Sequence, residues 1–309
     1  MNIKCILSIF ITIMIMFFIT TVSHAWTIDM DFNQGPLGRS VEDKGNSYPV
    51  FSDAAGGTVY SDCAGISQDG QCAKMNINKG YDGWGTWGGR LNFNERGVSN
   101  PVVGTEVWIS VKLFMPEGFD YSAIPWLKFL RLHTTSSGKS NEGYNDLYIT
   151  TIGEKYYDSV LKKNLLQPPF FFIKEQQDLL KRFGDINLDN PVTGIWETYE
   201  VYLKMDYRSV TTGGTSRVRI WKNGKLLAEF NDIQTLNSAI SQADSFLIFT
   251  YWNGGKPDGS GAVPTKDQFL FIDDLIITTD KPARRDISGN PMIGDVLIVP
   301  NSPINLQIN

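Results

Sequence analysis

The feature that most constrains the fold of this chain is a repeated series of short alternating segments with turn residues between them. Residues 105–115 alternate apolar and polar side chains, so that Val107 and Ile109 share one face of a predicted strand. Further segments of this kind occupy residues 126–134, 196–207, 217–221, 226–230, 246–252 and 269–277. Asn223 and Gly224 separate two of them, which is a strong signal for a β-hairpin. The pattern predicts an all-β protein with an antiparallel β-sandwich.

Two acidic segments lie at opposite ends of this strand-rich region. Asp29 and Asp31 precede it, and Asp273 and Asp274 interrupt an otherwise apolar final strand. We expect the first and last strands to pair, as they do in a jelly roll. Calcium prefers several carboxylate and carbonyl oxygens, so Asp29, Asp31 and Asp273 predict a structural Ca²⁺ site. The alternative is that these charges are solvated on edge strands, where they also oppose aggregation.

The first 25 residues have the pattern of a secretory signal peptide. Lys4 provides the positive start, residues 6–22 form an apolar run, and residues 23–25 match a small-residue cleavage site. The alternative is a retained membrane anchor, for which the run is short. We therefore expect a secreted protein, extracellular or periplasmic, that does not contact the membrane after cleavage.

The cysteine count supports the same compartment. Cys5 leaves with the predicted signal peptide, and an even pair remains, Cys63 and Cys72. In an oxidising compartment such a pair predicts a disulfide, which would contribute roughly 3 kcal/mol for so short a loop. The alternatives are two free thiols or a zinc site, and the latter lacks nearby histidine ligands.

Size and charge limit the domain count and the class of partner. Residues 26–280 are predicted to form one jelly-roll domain and residues 281–309 an extended C-terminal tail, with the protein a monomer. Residues 174–183 have the pattern of a short helix, placed inside a long insertion at 154–190. The net charge of −5 argues against nucleic-acid binding. It is compatible with an anionic polysaccharide if the binding groove is locally basic.

Candidate chemistry is concentrated on the second predicted strand. Arg131 and His133 share one face of it, whereas Lys128 lies on the other face unless a β-bulge shifts the register. Tyr251 and Asn253 share a face at the end of a later strand. A cation to neutralise a sugar carboxylate, a base near neutrality and a phenol to protonate a leaving oxygen are the groups that an acidic-sugar site requires. The alternative is that His133 is structural.

A second candidate region is rich in glycine and tryptophan. Residues 80–90 combine a flexible backbone with flat aromatic rings, which are typical of sugar-stacking subsites. The alternative is a glycine-rich turn packed on tryptophan. The candidate substrate-binding residues are Tyr81, Trp84, Trp87 and Arg90, together with Trp252 and Asn253 of the later strand.

The order of several motifs resembles one family. The motifs are GGRLNF, EVWISVKLFMPEGF, WLKFLRLH, VRIWKNGK, YWNGG and FIDDLII, and they extend over nearly all of the chain after the signal peptide. The series is similar to that of secreted polysaccharide lyases with a concanavalin-A-like jelly roll. The resemblance implies β-elimination on a uronic-acid polysaccharide. It also implies roles for individual residues, which are as follows: Arg131 or Arg90 neutralises the C6 carboxylate, His133 or Lys128 removes the C5 proton, Tyr251 protonates the departing O4, and Asn253 assists at the carboxylate.

Two other function classes stay open at this level. A non-catalytic, lectin-like glycan-binding protein would use the same sandwich with aromatic residues along its groove. A glycoside hydrolase would need two carboxylates facing each other across the groove. Glu197 and Glu200 are three residues apart on a predicted strand and therefore point to opposite faces.

Overall fold

The computed structural model describes residues 25–41, 57–63, 70–80, 87–120, 126–136, 142–150, 155–158, 161–177, 179–249 and 264–294. Within them the chain forms β-strands and two short 3₁₀ turns, Asn94–Arg96 and Val210–Thr212. The strands are β1 (Thr27–Met30), β2 (Thr58–Asp62), β3 (Gln71–Ile77), β4 (Gly89–Asn92), β5 (Glu106–Phe114), β6 (Trp126–Ser136), β7 (Tyr144–Thr150), β8 (Lys155–Asp158), β9 (Lys163–Leu166), β10 (Phe170–Lys174), β11 (Leu179–Phe183), β12 (Trp196–Lys204), β13 (Arg217–Lys222), β14 (Lys225–Phe230), β15 (Ser241–Ile248) and β16 (Gln268–Thr278).

Two antiparallel sheets form the predicted sandwich. The larger sheet has the order β14-β13-β12-β5-β16-β3-β2, and β1 pairs with β16 beside it. The smaller sheet has the order β11-β10-β7-β6-β15-β4, while β8 and β9 form a separate ribbon. Thr27 pairs with Thr278 and Met30 with Leu275, so the first and last strands are neighbours, as the sequence predicts.

The core lies between the two sheets and is built from the alternating positions of the strands. Val107 and Val111 of β5 and Leu130 and Leu132 of β6 are buried in the same cluster. Each such side chain contributes about 1.5–3 kcal/mol when it is removed from water. The opposite faces of the strands are thereby left to carry polar and aromatic side chains.

The prediction of a short helix at residues 174–183 is wrong. Residues 170–174 and 179–183 are instead the two strands of a hairpin, with Phe170 paired to Phe183 and Lys174 to Leu179. Gln176 has φ +69°, which turns the chain between them. Strand β10 also pairs with β7, so hydrogen bonding on both sides overrides the local helical preference of the sequence.

Two other predictions concern the disulfide and the C-terminal segment. Cys63 and Cys72 form the predicted disulfide, with their Cα atoms 5.9 Å apart. Residues 281–294 lie on the outer face of the larger sheet, where Trp221 Nε1 donates a hydrogen bond of 2.9 Å to Asp286 Oδ2. Trp108 Nε1 similarly donates to the Pro291 carbonyl at 3.2 Å. This part of the C-terminal segment is therefore anchored to the sandwich.

Most of the predicted signal peptide, residues 1–24, and the end of the tail, residues 295–309, lie outside the described residues. In the part of the chain that is described, no helix has the length and apolar character needed to cross a membrane.

Candidate active site

The outer face of the smaller sheet brings together the basic residues of β6. The register between β6 and β7 shifts between Lys128 and Leu130, which makes Phe129 the extra residue of a β-bulge. Phe129 and Leu130 both enter the core, and Lys128 consequently returns to the face that carries Arg131. Lys128 and Arg131 can share a site only if a β-bulge shifts the register between them, and the structure contains that bulge.

Lys128 and Arg131 are held by two acidic side chains. Arg131 Nε lies 3.0 Å from Asp146 Oδ1, and Lys128 Nζ lies 3.8 Å from Asp146 Oδ2. Glu175 Oε1 lies 3.2 Å from Lys128 Nζ and 3.6 Å from the Arg131 guanidinium. Burial raises the pKa of Asp146 to about 6 against the opposing effect of the two cations, so Asp146 is ionised at neutral pH. The buried Asp146 and the partly exposed Glu175 together fix both basic side chains.

His133 belongs to a second hydrogen-bonded group on the same face. Its Nδ1 lies 2.5 Å from Asp244 Oδ1. Ser245 Oγ donates to the same Asp244 oxygen at 2.9 Å, and Arg90 Nε donates to Ser245 Oγ at 3.0 Å. The Arg90 guanidinium also approaches Asp244 at 3.9 Å, and 43% of the Arg90 side chain is exposed. Arg90 is therefore more open to a ligand than Lys128 or Arg131, whose side chains are almost fully buried.

Tyr144 connects the two groups and was not singled out by the sequence. Its ring centroid lies 4.8 Å from that of His133, and the Arg131 guanidinium carbon lies 3.7 Å from it. Burial raises the pKa of Tyr144, while Arg131 and Arg90 act in the opposite direction. Asp146, Glu175 and Asp244 were missed as well. The spacing of two residues between Tyr144 and Asp146 is the one signal that could have placed them on a common strand face.

An aromatic group lies next to Lys128. The rings of Tyr148 and Phe171 stack with their centroids 4.2 Å apart, and Trp126 packs edge-on against Phe171 at 5.4 Å. The Lys128 amine lies 5.7 Å from the centroid of Tyr148. Flat rings beside a cationic group are suited to contact with sugar rings.

The other predicted site residues are either outside the described part of the chain or buried in the core. Tyr81, Trp84, Tyr251, Trp252 and Asn253 lie outside the described residues. Trp87 is buried in the core and packs against Phe249 with centroids 6.1 Å apart, which corrects the prediction that it forms a sugar-stacking surface.

The structure describes all three acidic residues predicted to bind calcium, Asp29, Asp31 and Asp273. Burial raises the pKa of Asp29, and the nearby charges of Asp274 and Asp31 raise it further. Asp274 also pairs with Lys112 at 2.5 Å, while Asp273 is buried and accepts the backbone N–H of Asp274 at 2.9 Å. Among the described residues no group of three or more His, Cys, Asp or Glu side chains is arranged to hold a metal ion. The calcium site stays a prediction.

Comparison with known proteins identifies solved structures that share this fold. No family model and no curated protein matches the chain. The solved structure of alginate lyase Aly36B matches with a TM-score of 0.55 at 14% identity, covering 81% of this chain and 96% of that one. The protein has the jelly-roll fold of this lyase. A mutant of Aly36B in complex with an alginate trisaccharide matches with a TM-score of 0.55 at 15% identity, covering 81% and 97%. The endo-β-1,4-glucuronan lyase of Trichoderma reesei matches at 0.49 and 13% identity, covering 82% and 95%.

Proposed function

We propose that this protein is a secreted polysaccharide lyase that cleaves an anionic, uronic-acid-containing polysaccharide by β-elimination. The observation that carries the proposal is the convergence of Arg90, Arg131, His133 and Tyr144 on one face of the smaller sheet. These side chains supply a cation, an imidazole and a phenol within one group of contacts. Such a set matches the requirements of proton abstraction next to a carboxylate.

The cations of the site have different roles in this proposal. Lys128 and Arg131 are almost fully buried and already contact Asp146 and Glu175. Arg90 is much more exposed, and its contact with Asp244 at 3.9 Å is a loose one. We assign to Arg90 the neutralisation of the sugar C6 carboxylate, which lowers the pKa of the C5 proton. Arginine is suited to this role because its planar guanidinium binds a carboxylate through two hydrogen bonds.

Acid–base chemistry falls to His133 and a tyrosine. The imidazole of His133 accepts the C5 proton, because histidine is the side chain that most often serves as a general base in enzymes. Tyr144 is the phenol that the described structure brings next to His133 and Arg131. It takes the role predicted from the sequence for Tyr251, which is protonation of the departing O4. The Tyr144 phenol is protonated at neutral pH because burial raises its pKa.

The class of substrate and the compartment have independent support. Aly36B mutants were solved in complex with an alginate trisaccharide and with an alginate tetrasaccharide, the latter with a TM-score of 0.51 to this chain. An acidic uronan is therefore the substrate class that we propose.

Secretion is supported by the Cys63–Cys72 disulfide, because disulfides persist in oxidising compartments. A structural Ca²⁺ near Asp29 and Asp31 is retained as part of the proposal.

Ultraviolet absorbance tests the proposal directly, because β-elimination leaves a conjugated double bond that hydrolysis cannot produce. The protein is incubated with alginate, glucuronan, pectate and glycosaminoglycans, with and without a chelator. We expect absorbance to rise with at least one polymer and to be abolished by His133→Ala. Tyr144→Phe and Tyr251→Phe distinguish the two candidate phenols, and Tyr207→Phe, which lies outside the cluster, is the matched control.

The same experiment separates the other function classes. A flat trace across the panel with retained glycan binding would indicate a lectin-like protein. The observation that favours this second candidate is that Lys128 and Arg131 are already neutralised by carboxylates. New reducing ends without ultraviolet absorbance would indicate a hydrolase, and either result would overturn the proposed elimination.

A further inference from the structure

We propose that Asp244 is a positioning residue that holds His133 in the tautomer with the proton on Nδ1, so that Nε2 is the atom that accepts the substrate proton. The catalytic part of this inference rests on the proposed function. The assignment of the tautomer does not, because it follows from the contacts of the folded protein.

The short contact between His133 and Asp244 determines which atom carries the proton. His133 Nδ1 and Asp244 Oδ1 are 2.5 Å apart, which is hydrogen-bonding distance. An ionised carboxylate only accepts hydrogen bonds, so Nδ1 must donate. In a neutral imidazole the remaining nitrogen, Nε2, then carries the lone pair.

The surroundings keep Asp244 ionised. Burial is the largest single influence and raises the pKa of Asp244. The hydrogen bonds from His133 and Ser245, together with the positive charges of Arg90 and of His133 when it is protonated, outweigh burial and lower this pKa. The result is a pKa below the ordinary value. The groups facing this carboxylate therefore come from three strands, β4, β6 and β15, and all of them favour its charged form.

A second β-bulge explains how Asp244 reaches His133. Ala243 pairs with Thr134 and Ser245 pairs with His133, so Asp244 is an extra residue in β15. Regular alternation would have directed Asp244 and Ser245 to opposite faces. The bulge instead lets Ser245 Oγ donate to Asp244 Oδ1 while Asp244 bonds His133. The backbone thus presents this carboxylate to the histidine of the neighbouring strand.

The other side of the imidazole is restrained as well. Tyr144 packs against His133, and only 4% of His133 is exposed. Its ring has a fixed orientation as well as a fixed tautomer. A histidine that is both buried and hydrogen-bonded through Nδ1 acts at Nε2, in the way that carboxylate–histidine pairs act in other enzymes.

The elimination step balances with this assignment. His133 Nε2 takes the C5 proton, the C5–H electron pair becomes the C4=C5 double bond, and the C4–O4 bond breaks. O4 receives the proton of the Tyr144 phenol, and the imidazolium returns its proton to the phenolate. Asp244 stabilises the imidazolium in between and is not itself protonated. No oxidant, reductant or further reactant is required.

Nitrogen NMR of the histidine ring tests the tautomer without any substrate. The full chain has two histidines, and a His24→Gln variant identifies the signals of His133. We expect Nδ1 to be the protonated nitrogen of neutral His133 in the wild type. In Asp244→Asn the side-chain amide donates to Nδ1, and the proton should move to Nε2. The matched control is Asp232→Asn, an exposed carboxylate that pairs with Lys181 and should leave the His133 signals unchanged.

Kinetics test the consequence for catalysis. Asp244→Asn should lower kcat on the order of 10²- to 10⁴-fold with little change in KM, as expected when acid–base catalysis is lost and binding is kept. Absence of elimination by the wild type on every polymer would refute the proposed function, while the NMR result would still decide the tautomer. A wild-type His133 protonated on Nε2 would overturn the inference, and so would an unchanged tautomer in Asp244→Asn. If that variant does not fold, the wild-type tautomer alone decides.

Discussion

Glu200 is expected to make the stability of this protein decrease as the pH rises through neutrality. Its side chain lies on the outer face of the larger sheet and is 1% exposed. Its two oxygens accept the backbone N–H groups of Ile293 at 2.8 Å and Gly294 at 2.9 Å. Burial raises the pKa of Glu200 to about 7, these two hydrogen bonds oppose the rise, and the charge of Asp286 adds to it.

The sign and size of the effect follow from that shift. The pKa of Glu200 is raised from its ordinary value of 4.5 to about 7 in the folded protein. The folded state therefore binds its proton more tightly than the unfolded state, and the resulting stability is complete below the unfolded pKa. It is lost as the pH rises through about 7. The difference between these two pKa values corresponds to roughly 3 kcal/mol of stability, and most of the loss falls between about pH 5 and about pH 8.

Urea unfolding across this pH range measures the effect, with Glu200→Gln as the variant. Other groups titrate in the same range, so the informative quantity is the difference between the wild type and the variant. The amide of the variant would stay neutral, and the advantage of the variant in free energy of unfolding should grow by roughly 2–3 kcal/mol from about pH 5 to about pH 8. Glu229→Gln is the matched control, because the pKa of Glu229 is lowered and this carboxyl is ionised there in both the folded and the unfolded protein. A pH-independent difference between the wild type and Glu200→Gln would refute the reasoning.

Three other variants test the buried charges and the disulfide. Asp146→Asn leaves the Arg131 guanidinium without its closest carboxylate. We expect this variant to lower the free energy of unfolding, measured by chemical denaturation, by about 3–5 kcal/mol. Burial lowers the pKa of Lys174 to about 8, so keeping this amine charged below that pH costs stability. Lys174→Met should therefore raise the unfolding midpoint near neutral pH and lose this advantage as the pH approaches 10.5, the ordinary lysine value. Replacing Cys63 and Cys72 together by Ser should cost about 3 kcal/mol, and a reducing agent should have the same effect on the wild type alone.

The sequence predicts the architecture because the architecture depends on alternation. The apolar face of residues 105–115 becomes the core face of β5, and the acidic segments at the two ends become β1 and β16. The disulfide also follows from counting cysteines. The failure at 174–183 has a different origin, since a run rich in Lys, Gln and Leu favours a helix locally. Pairing of β10 between β7 and β11 decides the outcome, and no local signal reports that pairing.

The sequence predicted the basic residues of the site but not their acidic partners, because the partners depend on how the strands pair. Lys128, Arg131 and His133 were recognisable because they lie within six residues of one strand. Their acidic partners Asp146 and Asp244 come from different strands, so their proximity depends on register. A single acidic residue on a strand gives no indication of which cation it will face. Once the register is fixed, the partners follow from cross-strand pairing, as with Arg131 opposite Asp146.

Both β-bulges next to the site can be understood as a consequence of the charges that it contains. In a regular strand, alternation would place either Lys128 or Arg131 in the core, where an unpaired charge costs several kcal/mol. The bulge at Phe129 adds one apolar residue to the core and returns Lys128 to the outer face. The bulge at Asp244 similarly places a carboxylate of the neighbouring strand β15 on the outer face. Two departures from alternation on adjacent strands are what allow opposite charges from β6, β7 and β15 to meet on one sheet face.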